Sequence, residues 1–156
     1  MTSQLEGVVI LRLRRHADER GWLSEIFRSD ELPADLKPEM GYVSMTRPGV
    51  GRGPHEHRDQ TDLFYFGPES SFRLYLWDRR KNSTTSGQEE KLDLVSDSGL
   101  IVIIPPGVVH GYKNMGERDA LVFNFPNRLY AGPGKSEPVD EIRYENDDSA
   151  EFSMDD

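Results

Sequence analysis

The chain of 156 residues contains no cysteine. That absence excludes disulfides and thiolate metal sites. No apolar run approaches the ~20 residues that a bilayer-spanning helix requires. The first residues, Met1-Thr2-Ser3-Gln4-Leu5-Glu6, lack the basic and apolar regions of a secretory signal. The expected setting is the cytoplasm, with no membrane partner. Positive charge is scarce as well, because 19 Lys and Arg stand against 28 Asp and Glu for a net charge of -9. A phosphate backbone selects a basic surface, so nucleic acid is not expected as a partner. A small anion remains compatible, since Arg20, Arg47, Arg52 and Lys113 could form a local basic pocket. No segment sustains a 3.6-residue apolar period, which argues against long amphipathic helices.

What the sequence does contain is frequent punctuation, with 14 glycines and 10 prolines between short apolar runs. Gly7 to Arg14 reads as a strand, Asp18 to Gly21 as a turn, and Trp22 to Phe27 as a second strand. Pro33 and Pro38 limit residues 31–40 to a helical turn at most. Gly41 to Thr46, Asp62 to Phe66, the alternating Phe72 to Trp77, the weakly alternating Lys91 to Val95, and Ala120 to Phe125 are further strands. Leu100 to Ile104 is apolar at every position, as expected of a strand buried on both faces. The length suits one domain with one core. This pattern predicts an all-β chain, a single-domain double-sheet jelly roll over residues 1–148, followed by a solvated acidic tail over 149–156.

Three of the four histidines fall in two glycine-bounded stretches, Gly49 to Asp62 and Gly99 to Asn114. His55 and His57 are two apart, so on a strand both imidazoles point to one face. That arrangement suits a metal, or a base with a neighbour. Gly49, Gly51 and Gly53 precede no helical pattern and form no dinucleotide loop. Ser71, Ser83 and Ser86 lack a nucleophile's surroundings, while Trp22 and Trp77 are expected in the core or an interface.

The first stretch reads Gly-x5-His-x-His-x4-Asp, and the second Gly-x5-Pro-x-Gly-x2-His-x3-Asn. Both resemble the paired motifs of the cupin superfamily, with Asp62 where glutamate is usual. In that resemblance His55, His57, Asp62 and His110 would hold one divalent transition metal, and Mn, Fe, Ni or Zn suits such ligands. The elements Asp18-Glu19-Arg20-Gly21 through Glu25-Ile26-Phe27, Arg52-Gly53-Pro54-His55, Trp77-Asp78-Arg79-Arg80 with Ser83 and Thr85, Pro106 to Gly111, Asn127 to Tyr130 and Glu141 to Asp147 resemble the dTDP-4-dehydrorhamnose 3,5-epimerase family. This second resemblance implies a cofactor-free isomerase acting on a nucleotide-linked 4-keto-6-deoxy sugar in deoxysugar or cell-surface polysaccharide biosynthesis. It implies His55 as base, Asp147 as its orienting carboxylate, and His110 as a second pocket histidine. Arg52 would contact the diphosphate, and Arg20 and Glu25 would be contributed across a homodimer interface. Two positions depart from the family. Asp62 is the nearest equivalent of its enolate-stabilising lysine. The last core strand carries Phe123 and Asn124 where the family has a proton-donating tyrosine, leaving Tyr112 or Tyr130 to serve. Besides the epimerase, the sequence leaves open a metal-dependent cupin enzyme and a sugar-nucleotide-binding cupin without turnover.

Overall fold

The short apolar runs become strands, and the turns between them fold the chain back antiparallel. In the computed structural model of the chain, residues 1–145, 147 and 151–155 are described. In chain order the strands are β1 (Val9–Arg12), β2 (His16–Asp18), β3 (Gly21–Leu23), β4 (Tyr42–Thr46), β5 (Gly51–His57) and β6 (Asp62–Phe66). They continue as β7 (Ser71–Asp78), β8 (Glu89–Val95), β9 (Leu100–Ile104), β10 (Val108–Asn114), β11 (Ala120–Asn124) and β12 (Glu141–Arg143). One sheet has the order β1-β9-β6-β11-β4, the other β12-β5-β10-β7-β8, and β2 with β3 forms a separate hairpin. All pairings are antiparallel. This is the expected all-β jelly roll.

The core lies between the two five-stranded sheets. Phe64 and Phe66 of β6, Phe72, Leu74 and Leu76 of β7, Val102 and Ile104 of β9 and Tyr112 of β10 pack together there. Each such side chain contributes roughly 1.5–3 kcal/mol through burial. Tyr112 stands edge-on to Phe66 at 5.5 Å and to Phe72 at 5.6 Å. Every residue of β9 is buried, because its second face is covered by Leu36, Leu63 and the N-terminal segment.

Two expectations need correction. The strand expected over Trp22 to Phe27 ends at Leu23 and belongs to an exposed hairpin that, among the described residues, pairs with no further strand. The acidic end is not a solvated tail throughout. Phe152 and Met154, two apart, lay their side chains against Tyr75, Trp77 and Val109, with Phe152 4.8 Å from the Tyr144 ring. Apolar residues in alternate positions anchor a segment that its charge alone would leave in water.

The element Trp77 to Thr85 is structural. The Asp78 carboxylate is buried and accepts from Arg80 Nη2 at 2.7 Å, Ser83 Oγ at 2.5 Å and Thr85 Oγ1 at 2.6 Å, fastening the loop after β7. Burial pushes this carboxyl up, but the Arg80 guanidinium and the two hydroxyls outweigh it and hold it well below the usual range. Asp78→Ala is expected to cost about 1–3 kcal/mol, because it removes the shared acceptor of Arg80, Ser83 and Thr85 while Arg80 keeps its bond to the Glu6 carbonyl. A depressed folded-state pKa contributes stability above the unfolded value and loses it as pH falls. The wild-type advantage in thermal unfolding should therefore narrow below about pH 4.

Candidate active site

Strand β5 carries His55 and His57 on one face, and β10 sets His110 directly opposite His55. The rings of His55 and His110 lie 4.4 Å apart, edge to face. The facing sheet supplies Asp62, the first residue of β6, which is 1% exposed. One ligand atom from each of His55, His57, Asp62 and His110 falls within 4.8 Å of the others. Three imidazoles from one sheet thus meet a carboxylate from the other.

The hydrogen bonds around this cluster assign its protons. Asp62 Oδ1 accepts from Gln60 Nε2 at 2.9 Å and from Asn124 Nδ2 at 2.8 Å. The same Gln60 amide lies 3.1 Å from His57 Nε2, so its second N–H makes that nitrogen an acceptor. His110 Nδ1 lies 3.0 Å from the Val108 carbonyl, which can only accept, so Nδ1 carries the proton there. Asp62 Oδ2 lies 3.2 Å from both His57 Nε2 and His110 Nε2, off the hydrogen-bond direction of either ring. Among the described residues, Asp62 Oδ2, His110 Nε2 and His55 Nδ1 are buried without an aligned donor or acceptor. A cluster of converging lone pairs around one carboxylate favours a cation, whether a proton or a metal ion.

Electrostatics separate the two histidines of β5. Burial pushes His57 down, but the adjoining Asp62 carboxylate, aided by Glu141 and Asp140, outweighs it and raises the pKa. Burial, with His110 beside it, pushes His55 down to about 2, so its imidazole is neutral at neutral pH. Asp62 is also pushed up by burial, yet the two imidazoles hold it well below the carboxylate range.

A cavity of about 1170 Å³ opens from His55 and His57 to the surface. Tyr42, Tyr112 and Tyr130 line it, and its walls carry Arg52, Arg128, Lys135 and Arg143 alongside Glu39, Glu137, Asp140, Glu141 and Glu145. Arg52 is held toward β4, donating to Thr46 Oγ1 at 3.1 Å and to the Met45 carbonyl at 2.8 Å. Tyr112 Oη lies 3.1 Å from Ser44 Oγ and is almost wholly buried, whereas Tyr130 stands half exposed at the mouth.

Of the residues expected from sequence, His55, His57, Asp62 and His110 come together, and Arg52, Tyr112 and Tyr130 line the same cavity. Arg20 and Glu25 do not line it. Arg20 sits on the hairpin turn, 84% exposed at its side chain and paired with Asp18 at 2.6 Å, and Glu25 is 3.5 Å from Arg28. Asp147 is exposed and outside the cavity lining, beyond a turn whose Asp147 N–H donates to the Tyr144 carbonyl. The carboxylate beside His55 is Glu141, with Oε1 3.7 Å from Nδ1. The reason is register, since β12 pairs with β5 and sets Glu141 opposite His57 and Arg143 opposite His55. Sequence reasoning missed Glu141, Gln60, Tyr42, Arg128, Lys135 and Arg143 as site residues. Glu141 opened a recognised element, but nothing in the chain announced its pairing with β5.

Two five-stranded antiparallel sheets closing on a histidine-lined cavity define a cupin-type jelly roll. The sequence matches the dTDP-4-dehydrorhamnose 3,5-epimerase family over residues 2–141, and the chain belongs to that family. Its class is therefore that of the sugar-nucleotide isomerases. It is 33% identical over 126 residues to the probable low-salt glycan biosynthesis epimerase Agl13 of Haloferax volcanii, covering 81% of each chain. It is 33% identical over 128 residues to the spore coat polysaccharide biosynthesis protein SpsL of Bacillus subtilis, covering 81% of this chain and 82% of that one. Among solved structures, the dTDP sugar isomerase of Desulfovibrio desulfuricans G20 superposes with a TM-score of 0.78 at 26% identity, covering 92% of this chain and 87% of that one. Among the described residues, no helix is long and apolar enough to cross a membrane.

Proposed function

We propose that the protein epimerises a nucleoside diphosphate-linked 4-keto-6-deoxy sugar in glycan or polysaccharide biosynthesis, acting in the cytoplasm as a homodimer. The observation that carries this reading is a neutral imidazole, His55, in the wall of a cavity that also bears four cationic side chains. A 4-ketone acidifies the C–H bonds on its neighbouring carbons. His55 takes such a proton, and the electron pair moves onto the ketone oxygen as an enolate. Anionic diphosphate and enolate both raise the affinity of the imidazole for that proton. Glu141 turns the His55 ring and stabilises the imidazolium, a role in which it replaces Asp147. Its 3.7 Å separation is of the loose kind that tightens when substrate binds. Arg52, with Arg128, Lys135 and Arg143 around the cavity, suits the diphosphate, whose oxygens match guanidinium forks.

Arg20 and Glu25 serve this reading only from a neighbouring protomer. The outward faces of β4 and β11 expose Val43, Met45 and Leu121, and the β2-β3 hairpin exposes Trp22 and Leu23. These apolar surfaces suit an isologous contact. Light scattering at micromolar concentration should give about twice the 17.8 kDa mass of the chain, and particles of single mass would remove the role of Arg20. For the ligand itself, dTDP at ~100 times its dissociation constant should stabilise the fold by ~2.7 kcal/mol. If none of dTDP, UDP, GDP and CDP shifts the melting temperature at millimolar concentration, the nucleotide-sugar reading fails.

The converging lone pairs favour one second reading. His55, His57, Asp62 and His110 fit a divalent transition metal by ligand type and by proximity. When bound, such an ion would supply Lewis-acid polarisation of a substrate oxygen. His55 would then be a ligand and could not also act as the free base.

A further inference from the structure

We propose that Tyr42 is the proton donor of this site, delivering a proton to the sugar carbon from the face opposite His55. The inference rests on the epimerase reading. Epimerisation needs an acid as well as a base, one on each face of the ring, and the tyrosine expected in the last core strand is absent. That strand, β11, carries Asn124 instead, and β4 sets Tyr42 directly across from it.

The amide of Asn124 has every polar atom assigned. Its Oδ1 accepts from the Leu63 N–H at 3.2 Å, and its Nδ2 donates to Asp62 Oδ1 at 2.8 Å and to Tyr42 Oη at 2.9 Å. The amide cannot be reversed without opposing an N–H to the Leu63 N–H and a carbonyl oxygen to the Asp62 carboxylate. Tyr42 Oη is therefore an acceptor toward Asn124, and its own proton remains to be given elsewhere. The ring lines the cavity. The alternative hydroxyls are less well placed. Tyr112 belongs to β10, in the same sheet as His55, with its Oη against Ser44 Oγ, and Tyr130 sits on the loop at the mouth, away from Asn124.

Topology supplies the opposition that the chemistry requires. Tyr42 belongs to the sheet β1-β9-β6-β11-β4, and His55 to the facing sheet β12-β5-β10-β7-β8. A sugar held between the sheets presents one face to each residue. Burial pushes Tyr42 up to about 12, which keeps the phenol protonated until an enolate carbon is there to receive the proton. In the step itself the enolate pair forms the new C–H bond with the Tyr42 proton, leaving a phenolate. His55 holds the proton taken from the other face, and exchange with water returns both residues to their starting states.

The test separates proton removal from inversion. Wild type and Tyr42→Phe are incubated in deuterated water with a dTDP-4-keto-6-deoxy sugar, and NMR follows deuterium wash-in beside the ketone and the inverted product. In Tyr42→Phe the wash-in should persist, because His55 still removes the proton and returns a deuteron on the same face. Inversion should fall by the ~10²–10⁴-fold typical of a positioned acid. In Tyr112→Phe and Tyr130→Phe wash-in and inversion should keep their wild-type ratio, whatever the change in binding. The proposal is overturned by inversion at the wild-type rate in Tyr42→Phe, by wash-in and inversion falling by one common factor, or by Tyr130→Phe showing wash-in without inversion. Absence of wash-in in the wild type is a different result, and strikes the epimerase reading itself. A phenyl ring of the same size at this half-exposed edge position should keep the fold, which melting of the variant checks directly.

Discussion

His55→Ala should abolish most proton exchange at the carbons beside the ketone, by the ~10²–10⁴-fold that a positioned general base contributes. The loss should fall on wash-in and inversion together, because no enolate forms without the base. This pattern sets His55 apart from Tyr42, whose removal spares wash-in. The structural grounds are burial and neighbours, since His55 is neutral in the free protein and lies between His110 and the Glu141 carboxylate. Glu141→Gln keeps the shape and removes the charge that would stabilise the imidazolium, so it should lower exchange less than loss of the base. Nucleotide binding, read by thermal shift, should survive His55→Ala because the cationic side chains at the cavity remain. Unchanged exchange in His55→Ala would remove the residue from the mechanism, whatever the fold or the family.

How much of this was legible in the chain follows from the range over which each interaction acts. Leu100 to Ile104 announced a doubly covered strand because burial on both faces leaves no room for polar residues, and all five are buried. His55 and His57 declared a shared face through spacing alone, and the two glycine-bounded stretches brought His110 opposite His55 through motif. Such features are written within a few residues. Tyr42 was not legible, because its value depends on Asn124, 82 residues away in sequence and opposite only once β4 pairs with β11. Glu141 was missed for the same reason, since its carboxylate reaches His55 only through the β12-β5 register. Asp147 looked the better carboxylate in sequence, where the turn that carries it outward is invisible. Phe152 and Met154 were hidden by the acidic residues around them, although their alternate spacing was the signal that they would pack.

The sharpest division between the two readings of the histidine cluster lies in His57. In the base mechanism it stands next to the chemistry and takes no part in it, so His57→Ala should leave exchange and inversion largely intact. If His55, His57, Asp62 and His110 bind a metal, His57→Ala and His55→Ala should each remove both the ion and the activity, because four ligands leave none to spare. Metal analysis of protein purified without chelator or affinity-column metal, on the wild type and both variants, gives a readout independent of turnover. Asp62→Asn adds a third arm. It removes the one fixed charge of the cluster while an amide oxygen can still accept from Gln60 or Asn124, and it should lower the affinity of any bound ion strongly. The expected result is asymmetric, with His55 essential, His57 dispensable and no stoichiometric ion. Equal losses in the two histidine variants, together with loss of a stoichiometric metal, would leave a metal-dependent cupin in place of the His55 base. Gln60 and Asn124 would then be the residues that hold Asp62 in position for the ion.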